Sequence, residues 1–181
     1  MAVVTIIGAG MMGSALAFPA RENGNQVRLV GTHLDREIIE TCVKTNRHPK
    51  FTRDFPEGVA FYQIEQVEEA IAGADMIIGG VSSFGVEWFG DEILPRIPEE
   101  TPVLTVTKGL MDTPDGKLLT YPAIWKQKLQ KLGKKLSLNA IGGPVPAMSW
   151  WPMTRRKWPS AAMIWKFWKS FGRSWPQATI M

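Results

Sequence analysis

The stretch Val3-Val4-Thr5-Ile6-Ile7-Gly8-Ala9-Gly10-Met11-Met12-Gly13-Ser14-Ala15-Leu16-Ala17 constrains the fold more than any other part of the chain. Five β-formers run directly into Gly-x-Gly-x-x-Gly, and that runs into an alanine-rich helix start. Gly8 suits the tight strand-to-helix turn. Gly10, without a Cβ, lets a pyrophosphate approach the backbone. Gly13 lets the helix lie close on the strand. The free N–H groups and positive dipole end of that helix would face the phosphates. A glycine motif of this kind is weak by itself, but its placement after a strand and before a helix is the context that gives it meaning. The expectation is a dinucleotide cradle built from Gly8, Gly10, Met11, Met12 and Gly13.

The rest of the chain, to about residue 147, alternates strand and helix. Strands are expected at residues 3–7, 27–30, 59–62, 74–81, 102–106 and 136–141. Helices are expected at 11–22 (with Pro19 inside), after Asp35 as N-cap, at 65–72, at 84–94 and at 117–132, the last interrupted by Pro122. Residues 46–58 read as polar loop, and Asp112 and Asp115 as turn residues around Pro114. The near-continuous apolar run from Ala74 to Val81 fits a strand buried on both faces. This pattern predicts an α/β fold, a doubly wound and mostly parallel sheet of the Rossmann type with right-handed crossovers.

Ligands in such a sheet bind beyond the carboxyl ends of the strands. Ser82 and Ser83 follow one strand and can donate to a cofactor. Lys108 follows another, between Thr107 and Gly109. A lone lysine at a strand end is ordinarily a solvated charge, but at this edge it can polarise a carbonyl or protonate a developing alkoxide. Gly143-Pro144 follows the last strand. The acid expected about 20 residues after the glycine motif, where it would bind the ribose hydroxyls, is missing. That place reads Gly31-Thr32-His33, and Thr32 and His33 are candidate contacts to a 2′-phosphate. NADP is therefore expected at least as readily as NAD. His33 and His48 are too few for a metal site, and no P-loop or Ser/His/Asp arrangement is present.

These residues together resemble the N-terminal cofactor domain of NAD(P)-dependent glycerol-3-phosphate dehydrogenase. The matching pieces, in family order over about residues 1–147, are Gly8 to Ala17, His48-Pro49, Ala74 to Ile78, Gly80-Val81-Ser82-Ser83, Thr107-Lys108-Gly109 and Gly143-Pro144. The last two speak against ketopantoate and 3-hydroxyacyl reductases, which share the glycine motif. The resemblance implies hydride exchange between NAD(P)H and dihydroxyacetone phosphate, giving sn-glycerol 3-phosphate. It makes Lys108 a substrate-binding and catalytic lysine that also meets the cofactor, Gly143 a substrate contact and Ala147 a cofactor contact. Val145 departs from the small polar residue usual two places after that glycine. The family continues as a helical substrate domain that supplies a second catalytic lysine and most phosphate ligands; no counterpart is read in this chain. A homodimer is the family's expected assembly.

The sequence changes character near residue 148. Residues 1–147 hold 15 Lys and Arg against 17 Asp and Glu, whereas 148–181 hold six basic residues and no acid, with six of the eight tryptophans. Tryptophan has the single codon TGG. Shifted so that its first two bases become codon positions two and three, each reads NTG, which encodes Leu, Val or Met. The tail is accordingly expected to be a frame-shifted segment rather than a domain, leaving a chain of weak or absent activity. The competing reading is a dinucleotide-binding module whose basic aromatic tail meets a membrane surface or a partner. No run of about 18 apolar residues exists, so no membrane span is expected. Nucleic acid is not the expected partner. The single Cys42 and the absence of a signal-like N-terminus point to a reducing, cytoplasmic compartment.

Overall fold

The computed structural model describes residues 1–113 and 115–141. Strand β1 (Val3–Ile7) runs into helix α1 (Met11–Glu22), which continues through Pro19, and β2 (Gln26–Val30) follows. Helix α2 (Arg36–Thr45), β3 (Val59–Tyr62) and a 3-10 turn at Ile64–Gln66 that leads into α3 (Val67–Ile71) come next. Strand β4 (Met76–Gly79) leads into residues 83–96, where the single expected helix is a succession of short turns. They are 3-10 at Ser83–Gly85, α4 (Val86–Trp88), a wide π turn at Phe89–Ile93 and 3-10 again at Leu94–Arg96. This succession turns Phe89, Ile93, Leu94 and Ile97 inward, all nearly inaccessible.

After β5 (Val103–Thr105) the structure departs from the expectation of a helix starting at residue 117. Leu110–Asp112 (β6) and Leu118–Thr120 (β7) form an antiparallel hairpin, and only then does α5 (Tyr121–Lys131) begin. Helix-forming Leu118 and Leu119 favour a helix locally, but pairing with Met111 and Asp112 wins, because the turn returns Thr113 N–H to the Lys117 carbonyl at 2.8 Å. Pro122 therefore sits in the first turn of α5, where its missing N–H costs nothing, and does not interrupt the helix. Strand β8 (Leu138–Ala140) completes the main sheet.

That sheet has the order β3-β2-β1-β4-β5-β8, with all strands parallel. The chain steps outward from β1 in one direction, then returns and steps outward in the other. The order reversal beside β1 leaves a crevice at the carboxyl edge. Apolar side chains alternate between two layers. Val4, Ile6, Val27 and Leu29 pack beneath α1 and α2, while Ile7, Val30, Ile77 and Val103 pack with α3, the 86–97 segment and α5. The 46–58 loop is less polar in its role than in its composition. Phe51 and Phe55 are buried against Phe18, at centroid distances of 5.9 and 5.1 Å. Among the described residues no helix is long and apolar enough to cross a membrane, and no cluster of three or more His, Cys, Asp or Glu could hold a metal ion.

Candidate functional site

The parallel register brings the strand ends to one level. Ile7 pairs with Val30 and with Gly79, and Gly79 pairs with Thr105. The residues that follow these strands therefore share one edge. At its centre, Gly8 has φ of +111°, and a Cβ there would lie 2.7 Å from the Gly80 carbonyl carbon. A Cβ on Gly13 would collide with the Gly8 carbonyl oxygen and lie 3.5 Å from Gly80 Cα. Helix α1 thus sits directly on the turns after β1 and β4. Gly10 differs from both: a Cβ there meets nothing within 4 Å. Open space lies over Gly10, at the start of a helix that no side chain caps. The first intrahelical bond from this turn is Ser14 N–H to the Gly10 carbonyl at 2.9 Å. The N–H groups of the preceding turn are the helix's orphan donors, of the kind that bind anions. Met11 is 38% exposed beside this space, while Met12 packs against the core layer under α1.

The turn is held by side chains to which the sequence assigned no such role. Ala9 is fully buried, and its peptide groups are engaged on both sides. Its N–H donates to Asp35 Oδ2 at 3.1 Å. Its carbonyl accepts from Ser14 Oγ at 3.0 Å and meets His48 Nε2 at 3.2 Å. His48 Nδ1 accepts from the Lys50 N–H at 3.1 Å, so the ring proton belongs on Nε2 and His48 donates to Ala9. His48 is 1% exposed; burial pushes its pKa below the ordinary value, outweighing the Ala9 hydrogen bond that raises it, and nearby Lys50 adds to the lowering. It is a neutral ring at pH 7.

Asp35 bears directly on the missing acid. It occupies the N-cap position of α2, as expected, but its side chain makes no cap hydrogen bond. Oδ2 instead accepts from Ala9 N–H, from Thr32 N–H at 2.9 Å and from Thr32 Oγ1 at 2.8 Å. The carboxylate ties the turn after β1 to the turn after β2. Thr32 is consequently buried, with its hydroxyl engaged, and also accepts from Leu34 N–H at 3.3 Å. His33 is exposed, with its ring edge-on to Trp88 at 5.6 Å. Of the two residues expected near a 2′-phosphate, His33 presents itself to solvent and Thr32 faces the fold.

Ser82 and Ser83 are exposed just beyond β4, and neither caps the short turn that follows. Thr107, nearly buried, donates from Oγ1 to the Val81 carbonyl at 2.5 Å, fastening the turn after β5 to the turn after β4. Lys108 is the next residue and is exposed. Gly109, with φ of +145°, passes over the Tyr121 hydroxyl, where a Cβ would lie 2.5 Å away. The structure therefore gathers Gly8, Gly10, Gly13, Ser82, Ser83 and Lys108 on one edge. Gly143, Ala147 and Val145, and the whole 148–181 tail, lie outside the described residues.

Residues 3–148 match the family model described as NAD-dependent glycerol-3-phosphate dehydrogenase N-terminus. The NADP(+)-dependent glycerol-3-phosphate dehydrogenase of Archaeoglobus fulgidus is 39% identical over 127 residues, which are 70% of this chain and 37% of that protein. A glycerol-3-phosphate dehydrogenase [NAD(P)+] of Pseudoalteromonas translucida is 30% identical over 144 residues, 78% of this chain and 40% of that protein. Among solved structures, the glycerol-3-phosphate dehydrogenase of Plasmodium falciparum superposes with a TM-score of 0.70 at 16% identity, covering 91% of this chain and 48% of that one. The Coxiella burnetii enzyme gives 0.64 at 21% identity, over 82% of this chain and 43% of that one. These two likenesses concern the fold. The chain spans less than half the length of each of these relatives. By its family match, the chain belongs to the NAD-dependent glycerol-3-phosphate dehydrogenases, through their N-terminal domain.

Proposed function

We propose that residues 1–147 form the unit of a glycerol-3-phosphate dehydrogenase that holds NADP(H) or NAD(H), and that 148–181 are not a domain of their own. The observation that carries this reading is the uncapped start of α1 facing open space at Gly10, while the Ala9 peptide behind it is immobilised. Such a turn offers backbone donors to a pyrophosphate at little reorganisation cost.

The bound dinucleotide supplies or accepts a hydride. The chain's own residues do the rest on this side of the site. The hydroxyls of Ser82 and Ser83 donate to the cofactor. The Lys108 ammonium draws in the phosphorylated substrate and stabilises negative charge developing on its carbonyl oxygen. Gly143 and Ala147 complete the contacts to substrate and cofactor. With no carboxylate free directly after β2 and His33 exposed there, a 2′-phosphate is accepted at least as readily as a 2′-hydroxyl.

A substrate held on one side only does not reach near-attack geometry. Residues 1–147 by themselves are therefore weak or inactive in reducing dihydroxyacetone phosphate, although they bind dinucleotide. Steady-state assay with NADPH and NADH tests this, and turnover at ordinary enzyme rates would contradict it. The tail proposal is tested at codon 148 and beyond: neighbouring frames that encode nothing resembling a continuation of the domain would end it.

A further inference from the structure

We propose that Asp35 and His48 are positioning residues for the dinucleotide, acting through the Ala9 peptide and touching no ligand themselves. The inference rests on the cofactor reading above and assigns a cause to the shape of its turn.

Three elements converge on one peptide segment. Asp35 comes from the start of α2, His48 from the loop after α2, and Ser14 from the first turns of α1. They fix the Ala9 N–H and the Ala9 carbonyl, and that carbonyl belongs to the peptide shared with Gly10. The orientation of this peptide plane, and with it the aim of the donors at the head of α1, follows from those anchors. Both His48 nitrogens and one Asp35 oxygen are committed to the turn and its neighbours. His48 spends one nitrogen on Ala9 and the other on Lys50 N–H, and one Asp35 oxygen takes three donors. A carboxylate near the ribose end of a Rossmann cradle would ordinarily select NAD over NADP. Here its oxygen faces the turn, so it should serve both dinucleotides alike.

The test uses the whole chain and titrates NADPH, NADH and ADP against wild type, Asp35→Ala, Asp35→Asn, His48→Ala and His48→Gln. Each alanine variant that remains folded by circular dichroism should bind all three ligands about tenfold more weakly, the scale of one lost preorganising hydrogen bond. Asp35→Asn keeps an acceptor and His48→Gln keeps a donor, so both should recover most of the affinity. In the ligand-free protein, Ala9 amide exchange should accelerate in Asp35→Ala and Asp35→Asn in that order of severity. Alanine variants that bind as wild type does would overturn the positioning role while leaving the cofactor reading intact. Asparagine and glutamine variants as weak as their alanine counterparts would also overturn it, as would an Asp35→Ala effect on NADH that differs from its effect on NADPH, which would mark direct ribose contact. Wild type without saturable binding would overturn the cofactor reading, and this inference with it.

Discussion

Gly10→Ala and Gly13→Ala separate what the glycine turn does for the ligand from what it does for the fold. At Gly13 the added methyl must retreat from the Gly8 carbonyl oxygen by at least about 1 Å, and Gly80 stands behind it. Both neighbours are backbone, so no side chain can swing aside. Alanine gains about 1 kcal/mol of helix propensity, but overpacking against a rigid partner costs about 3 kcal/mol. The net loss is about 2 kcal/mol, which for a chain of this length lowers the melting temperature by about 4–8 °C. Displacing the head of α1 by that distance also stretches each donor-to-phosphate bond beyond useful length, so affinity falls more than tenfold. At Gly10 the methyl meets nothing within 4 Å, and φ of −65° suits alanine. Stability should change by less than about 0.5 kcal/mol, while the methyl occupies the approach to the turn and affinity drops about tenfold or more. Thermal melts and NADPH fluorescence titrations read both. A Gly13→Ala protein as stable as wild type would refute the packing argument. A Gly10→Ala protein with undiminished affinity would refute the placement of the phosphates.

Other outcomes follow from single groups. Lys108→Ala should alter stability by less than about 0.5 kcal/mol, because the side chain is exposed at the strand edge, yet it should abolish binding of dihydroxyacetone phosphate to the NADPH-loaded chain, read by isothermal titration. His48 is held neutral, with its pKa depressed below 6.5 chiefly by burial; the Ala9 carbonyl and Asp35 oppose the shift and Lys50 reinforces it. Its contribution to stability is therefore complete above pH 6.5 and is lost as pH falls from there through its folded pKa. Melts across this window should show His48→Gln with a shallower acid decline than wild type, and identical slopes would contradict the assignment. The buried Cys42 thiol is pushed up to about 11 by desolvation, so a disulfide reagent at pH 8 should label it at the rate of unfolding rather than on mixing.

The parts of this fold that were legible in the sequence are those specified locally. Val3–Ile7 and Met11–Glu22 have their expected bounds because a β-branched run, a glycine turn and an alanine-rich helix follow one another without competition. Val59–Tyr62 was equally plain, bounded by Gly58 and Gln63. The hairpin was not legible: residues 117–120 have helical preferences, and only their pairing with Leu110–Asp112 across the turn reveals a strand. At the site, the glycines, Ser82, Ser83 and Lys108 could be placed on one edge from alternation of elements alone. Asp35 and His48 could not be assigned their roles. Their bonds to Ala9 cross 26 and 39 residues of chain, and each uses backbone as its partner, which leaves no side-chain complement to find. The spacing rule for the ribose acid looks just after β2. It does not anticipate a carboxylate a few residues later that turns back to hold the glycine loop. The one available hint was His48-Pro49 among the pieces shared with the family.

We propose above all that a preformed turn at Gly8–Gly13 binds a dinucleotide in this chain. Titration of the purified 181-residue protein with NADPH, followed by the cofactor's own fluorescence and by competition with ADP, decides this. Saturable one-to-one binding is expected, displaced by ADP, with NADPH held at least as tightly as NADH. A signal that rises linearly to millimolar NADPH, with no displacement by ADP, would contradict it.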